Sequence, residues 1–119
     1  MSVLTKLQIK PGQAVAVLHS PPEVDLGISP HDLHDDPATA DAAVLFVTSA
    51  ADLSTPDADS VVDAAQRDAL AWVAYPKAGQ LGTDLNRDRL AALLVERNVR
   101  AVRQVSIDDV WSALRFRPL

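Results

Sequence analysis

The sequence predicts a three-layer α/β fold: a mostly parallel β-sheet covered on both faces and finished by a C-terminal antiparallel hairpin. Three observations carry this expectation. Short unbroken apolar runs at 14–18, 42–47 and 69–75 have the length and the bounding turns of strands buried on both faces of a sheet. Amphipathic stretches at 55–67 and 86–97 occupy two of the connections, and strand–helix–strand order implies right-handed crossovers that set the strands parallel. Two β-rich segments, 99–107 and 111–117, end the chain, and the Asp108-Asp109-Val110 link between them is short enough for a hairpin.

Taken in order, Leu7-Gln8-Ile9-Lys10 is a helix end or an extended lead-in, and Pro11-Gly12 turns the chain into the first strand. That strand stops before Ser20-Pro21-Pro22. Residues 21–39 are rich in Pro, Asp and His and poor in large apolar side chains, so they read as loop, with a weak edge strand near His31 to His34. The second strand ends at Thr48-Ser49. Thr55 then offers an N-cap, Pro56 a first helical position and Asp57 an acidic first turn, while Ala58, Val61, Val62 and Ala65 recur at helical spacing. The third strand closes at Pro76, and 79–83 is a loop. Asp84 or Asn86 caps the second helix, whose Leu90, Leu93 and Leu94 face inward. The expected core is Val15, Val17, Val44, Phe46, Leu70, Trp72, Leu90 and Leu94, joined by Val105, Ile107, Leu114 and Phe116 from the hairpin. The hairpin should form the end of the sheet, with Arg115 and Arg117 guarding its free edge and Pro118 ending the ladder.

The 119 residues suffice for one domain, 1–119, and an apolar fraction of 48 % suffices for a core. The chain has no Cys, which excludes thiol catalysis, thiolate metal sites and disulfides. No apolar run approaches the roughly 20 residues of a membrane span. Residues 1–10 lack the apolar stretch and cleavage site of a secretion signal, so a soluble, cytoplasmic protein is expected. The net charge of −5 is uneven: residues 1–68 hold eleven acidic and three basic side chains, residues 69–119 five and eight. General nucleic-acid binding is not expected of such a chain, because that affinity comes from neutralising phosphates along a basic surface. The basic second half leaves room for a local anion site.

In open α/β sheets ligands bind beyond the carboxyl ends of the strands. That rule selects Ser20, Thr48, Ser49, Tyr75, Lys77, Asp84 and Arg87 as candidate ligand-binding residues. Lys77 and Arg87 would attract an anion, Asp84 would supply a carboxylate, and the hydroxyls would orient the ligand. Structural roles compete with these: Ser49 and Asp52 have capping-box spacing, and Asp84 is a helix cap candidate. Lys77 has no apolar sequence neighbours to desolvate it, which argues against a catalytic amine. Trp111 reads as a core or edge-covering aromatic, with a stacking surface as the alternative. His19, His31 and His34 with Asp32, Asp35 and Asp36 have some of the residue types of a zinc site. They lack a closed ligand set, so no metal is expected. No G-x-S-x-G elbow is present, and Ser20 has only the adjacent His19 as a base, which on a continuing strand would point to the other face. No catalytic residue is assigned.

The lead-in Leu7-Gln8-Ile9-Lys10-Pro11-Gly12 with its strand, Tyr75-Pro76-Lys77, Thr83-Asp84-Leu85-Asn86 and Asp109-Val110-Trp111-Ser112-Ala113-Leu114-Arg115 together resemble an uncharacterised bacterial family of small proteins, over nearly the whole chain. More distantly, the layout is similar to a trimmed class I S-adenosylmethionine-dependent methyltransferase, a Rossmann-like fold that also begins with a strand after a Pro-Gly turn and ends in an antiparallel hairpin. Fold analogy is not function. Methyltransferases of that class carry a Gly-rich loop after the first strand, where the backbone must pass close to the cofactor. Here the position reads His19-Ser20-Pro21-Pro22-Glu23, with no Gly before Gly27. Two prolines fix φ at about −65° and remove two donors, so the usual cradle does not form. The strand whose terminal acid would hold the ribose is weak or absent, although Asp32, Asp35 and Asp36 lie near its expected end.

The resemblance therefore implies a degenerate methyltransferase-like domain without a cofactor, serving as a non-catalytic interaction or small-ligand-binding domain. The alternative is a small enzyme or ligand sensor, a divergent methyltransferase included, working at the carboxyl edge of the sheet. A homodimer or a protein partner is expected through the C-terminal hairpin around Trp111.

Overall fold

The computed structural model describes residues 2–119. A short helix α1 (Val3–Lys6) precedes β1 (Val15–Leu18) and β2 (Ala42–Phe46); α2 (Pro56–Gln66) leads to β3 (Leu70–Pro76), and α3 (Arg87–Val95) to the hairpin of β4 (Val99–Ser106) and β5 (Trp111–Pro118). The strands form one mixed sheet in the order β1-β2-β3-β5-β4. The first three are parallel neighbours, and β5 runs antiparallel to both β3 and β4.

The hairpin forms one end of the sheet as expected, but the order of its two strands differs from that which the edge role of Arg115 and Arg117 required. Its last strand does not end the sheet but inserts beside β3, leaving β4 at the margin. Burial explains the order. Trp111, Ser112, Ala113, Leu114 and Phe116 are all buried, whereas β4 is interrupted by Arg100, Arg103 and Gln104 and buries only Val99. An apolar strand gains most with a neighbour on each side, and a polar strand tolerates a solvated edge. Arg115 and Arg117 consequently guard no edge. Arg115 donates to Gln8 Oε1 at 2.8 Å, and Arg117 makes two 2.9 Å bonds to the Asp68 carboxylate.

Other expectations shift for the same reason. Val17, Leu70 and Val105 are half-buried rather than core: Val17 lies on the edge strand β1, Leu70 opens β3, and Val105 lies on the edge strand β4. The edge strand near His31 to His34 shrinks to a single bridge between Leu33 and Val15, with the His34 N–H donating to the Val15 carbonyl at 2.8 Å.

The two faces are covered differently. On one, Val61 and Ala65 of α2 with Leu90 and Leu94 of α3 pack over Leu45, Val73, Leu114 and Phe116. On the other, Leu7, Ile9 and Leu26 cover Val44, Phe46, Trp72, Ala113 and Trp111. Leu7 arrives there because α1 ends one residue earlier and Gly12, at φ +89°, turns the chain back into β1. Thr55 caps α2 through the Ala58 N–H and Asn86 caps α3 through the Arg89 N–H, at 3.2 and 2.9 Å. Among the described residues, no helix is long and apolar enough to cross a membrane.

Candidate functional site

The carboxyl ends of β1, β2, β3 and β4 and the start of β5 lie at one end of the sheet. Three clefts open near it, and the seven candidate residues are divided among them instead of meeting in one. Ser20 lines a cleft of about 310 Å³ with Val17, Asp25, Leu26, Ile28 and Leu33. Thr48 lines a second, of about 320 Å³, with His19, Glu23, Asp52, Phe46 and Trp111. Tyr75, Lys77 and Arg87 line a third, of about 360 Å³, with Asn86, Gln104 and Ser112. Ser49 and Asp84 line none of the three and serve the backbone. Ser49 and Asp52 form a capping box at the 3-10 turn Ala50–Ser54, and Asp84 accepts the Ala50 N–H at 2.9 Å while Asn86 takes over the cap of α3.

In the second cleft, Asp52 accepts from the Thr48 N–H at 2.8 Å, the Thr48 hydroxyl at 3.0 Å and the Ser49 N–H at 3.3 Å. The Thr48 N–H bond does most to hold its pKa below the ordinary aspartate value; burial opposes it, and the hydroxyl, the Ser49 N–H and the nearby His19 add to it. A folded-state pKa below the unfolded one stabilises the protein above the unfolded value of about 3.9, and that stability is lost as pH falls through the folded pKa. Acid titration of an Asp52→Asn variant should therefore show a shallower loss of stability below about pH 4 than the parent. Identical acid limbs would mean that these bonds carry no linkage. His19 directly follows β1 at φ +61°, a left-handed conformation rare outside Gly, and its Nε2 contacts the Asp57 carboxylate in the first turn of α2. Phe46 and Trp111 meet edge to face at 5.2 Å, and both are buried.

The third cleft holds donors. Tyr75 and Ser112 are register partners on β3 and β5, so both face the α3 side of the sheet. Gln104 Nε2 donates to Tyr75 Oη at 2.8 Å. Burial raises the Tyr75 pKa against the opposing effects of the Gln104 bond and the Arg87 charge, so the phenol keeps its proton and can donate it to a ligand. Lys77 is fixed at both ends: its N–H donates to the Val110 carbonyl at 2.7 Å and its Nζ to Ser106 Oγ at 2.9 Å. Ser112 is only 6 % exposed, and its hydroxyl makes no hydrogen bond to a described residue. Among the described residues no carboxylate lines the cleft, although exposed Asp88 contacts Arg87 at 3.2 Å from outside it.

Two of these residues escaped the sequence reading. Ser112 carried a signal, since it is the lone hydroxyl in a strand otherwise buried over its first four residues. Gln104 carried none, because its role depends on β5 lying between β4 and β3. In the 21–39 segment, His34 Nε2 bonds Thr39 Oγ1 at 2.6 Å, Asp32 accepts the Gly12 N–H at 3.2 Å and Asp36 accepts the Ala38 N–H at 2.9 Å. Among the described residues, no three His or carboxylate side chains are grouped to hold a metal ion.

A scan against protein-family models finds no match, and a search of the curated proteins finds no relative.

Proposed function

We propose that this protein is a non-catalytic small-ligand-binding domain that takes an anion in the cleft of Tyr75, Lys77 and Arg87. The observation that carries the reading is the convergence of an ammonium, a guanidinium, a phenol and the Ser112 hydroxyl, which has no protein hydrogen-bond partner among the described residues, on a cleft whose described lining holds no carboxylate. A donor-rich set of this kind is satisfied by an oxyanion. A three-layer, Rossmann-like, degenerate methyltransferase-like domain agrees with this placement, since the cleft lies at the carboxyl ends of β3 and β4. A cytoplasmic setting agrees with the Cys-free composition.

A second reading, an enzyme or ligand sensor at the neighbouring cleft, is favoured by one observation: His19 in a left-handed conformation against Asp57, beside Thr48 and Asp52. Thermal-shift and calorimetric titrations with inorganic phosphate, adenosine monophosphate and S-adenosylmethionine separate the two. Phosphate or the nucleotide should stabilise the protein, by about 2.7 kcal/mol at 100 times Kd. Arg87→Ala and Lys77→Ala should abolish that gain, and Ser112→Ala should weaken it. Stabilisation by S-adenosylmethionine alone, or by phosphate equally in the parent and both cation variants, would overturn the anion reading.

A further inference from the structure

One side of the hairpin faces away from α3. Arg115 and Arg117 point there from β5, because their neighbours Leu114 and Phe116 pack toward the helices. Arg117 is the register partner of Arg100, and Arg115 of Arg103. Residues three apart on a regular strand lie on opposite faces, so Arg100 and Arg103 should diverge. They do not, because the ladder slips between Ala101 and Arg103 and Val102, 40 % exposed, is the extra residue of a bulge. The bulge turns all four arginines onto one face of two adjacent strands.

Few acceptors meet them. Arg117 has Asp68, Arg115 has Gln8, and Arg100 Nε reaches only the Pro118 carbonyl at 3.3 Å. Arg103 has no hydrogen bond or ion pair to a described residue, and Arg115 Nε is shut off from solvent without a partner. Burial, and after it the Arg117 charge, lowers the Arg115 pKa; Asp68 opposes this and Arg103 adds to it. A chain of net charge −5 therefore carries a concentrated positive patch. Beside the patch, β4 has no strand of the described residues on its outer side over its eight residues.

We infer that β4 is the docking edge for an extended acidic segment of a partner protein, which adds as a strand to β4 and sets carboxylates against Arg100 and Arg103. Strand addition supplies main-chain hydrogen bonds, and the alternate side chains that face the arginines supply selectivity. Guanidinium groups match carboxylates in a two-pronged geometry. A second copy is disfavoured, since antiparallel β4–β4 pairing would bring arginine rows together. A phosphate polymer is disfavoured by the chain's overall negative charge.

Fluorescence anisotropy of the full chain tests this with a labelled peptide of alternating Glu and Val, its Lys-for-Glu counterpart and single-stranded oligothymidylate. The Glu peptide should bind at low salt and the Lys peptide should not. Arg100→Glu and Arg103→Glu should each weaken binding about tenfold or more, while Arg89→Glu on the opposite side should not. Amide exchange in β4 should slow when the Glu peptide is bound. Matching circular-dichroism melts for the variants keep a folding defect from mimicking lost binding. Failure of the Glu peptide to bind, equal losses in all three variants, a preference for oligothymidylate, or dimerisation that the β4 variants abolish would each overturn the inference.

Discussion

A chain truncated after Asp108 should not fold. β5 is the one strand that bridges the parallel half of the sheet to β4, and its removal leaves β4 with no strand to pair with. Trp111, Leu114 and Phe116 are each at most 3 % exposed, and burying side chains of this size contributes on the order of 1.5–3 kcal/mol apiece. Removing them exposes Val73 and Tyr75 on one face and Trp72 and Ala74 on the other, since these are the register partners that β5 covers. The combined loss is comparable with the whole stability of a small domain, about 5–15 kcal/mol. The check is a circular-dichroism spectrum and thermal melt of the truncated chain. A cooperative transition with the parent's spectrum would show that β5 is an appendage.

Trp72→Ala should be the most damaging single substitution tested in the core. Trp72 lies on the central strand at 0 % exposure, and truncating a buried aromatic costs about 3–5 kcal/mol. Its indole also donates to the Leu7 carbonyl at 3.0 Å, a long-range bond that ties the N-terminal segment to the sheet. Losing it leaves a buried acceptor unsatisfied, which adds roughly 1–3 kcal/mol. Chemical denaturation should show the midpoint moving far lower, and Trp72→Phe should recover the packing but not the bond. A loss below about 1 kcal/mol for Trp72→Ala would mean that the N-terminal segment repacks freely into the space.

The elements that were legible in the sequence are those that local chemistry dictates. Three apolar runs became β1, β2 and β3, and Thr55-Pro56-Asp57 opened α2 as a cap, a first-turn proline and an acidic first turn. The Asp84-or-Asn86 alternative was resolved by space rather than by propensity. Asn86 lies at the helix start, and Asp84 is taken by the Ala50 N–H, thirty-four residues away. The candidate site was legible only as an edge. The rule of carboxyl ends pointed to Tyr75, Lys77 and Arg87, which do meet, and equally to Ser20 and Thr48, which line other clefts.

Sequence alone determined the five strands of the sheet, α2 and α3, the turn at Pro11-Gly12 and the apolar character of β5, because each depends on side chains within a few residues of one another. Only the tertiary structure decided where β5 lies. Its insertion beside β3 brings Gln104 to the Tyr75 hydroxyl and turns Ser112 toward the cleft, and the β4 bulge gathers Arg100 and Arg103 onto one face. Those placements follow from which strand gains most by burial on both sides and from a one-residue slip in pairing. Both are properties of strands in contact, and neither is written in the period of one strand read by itself.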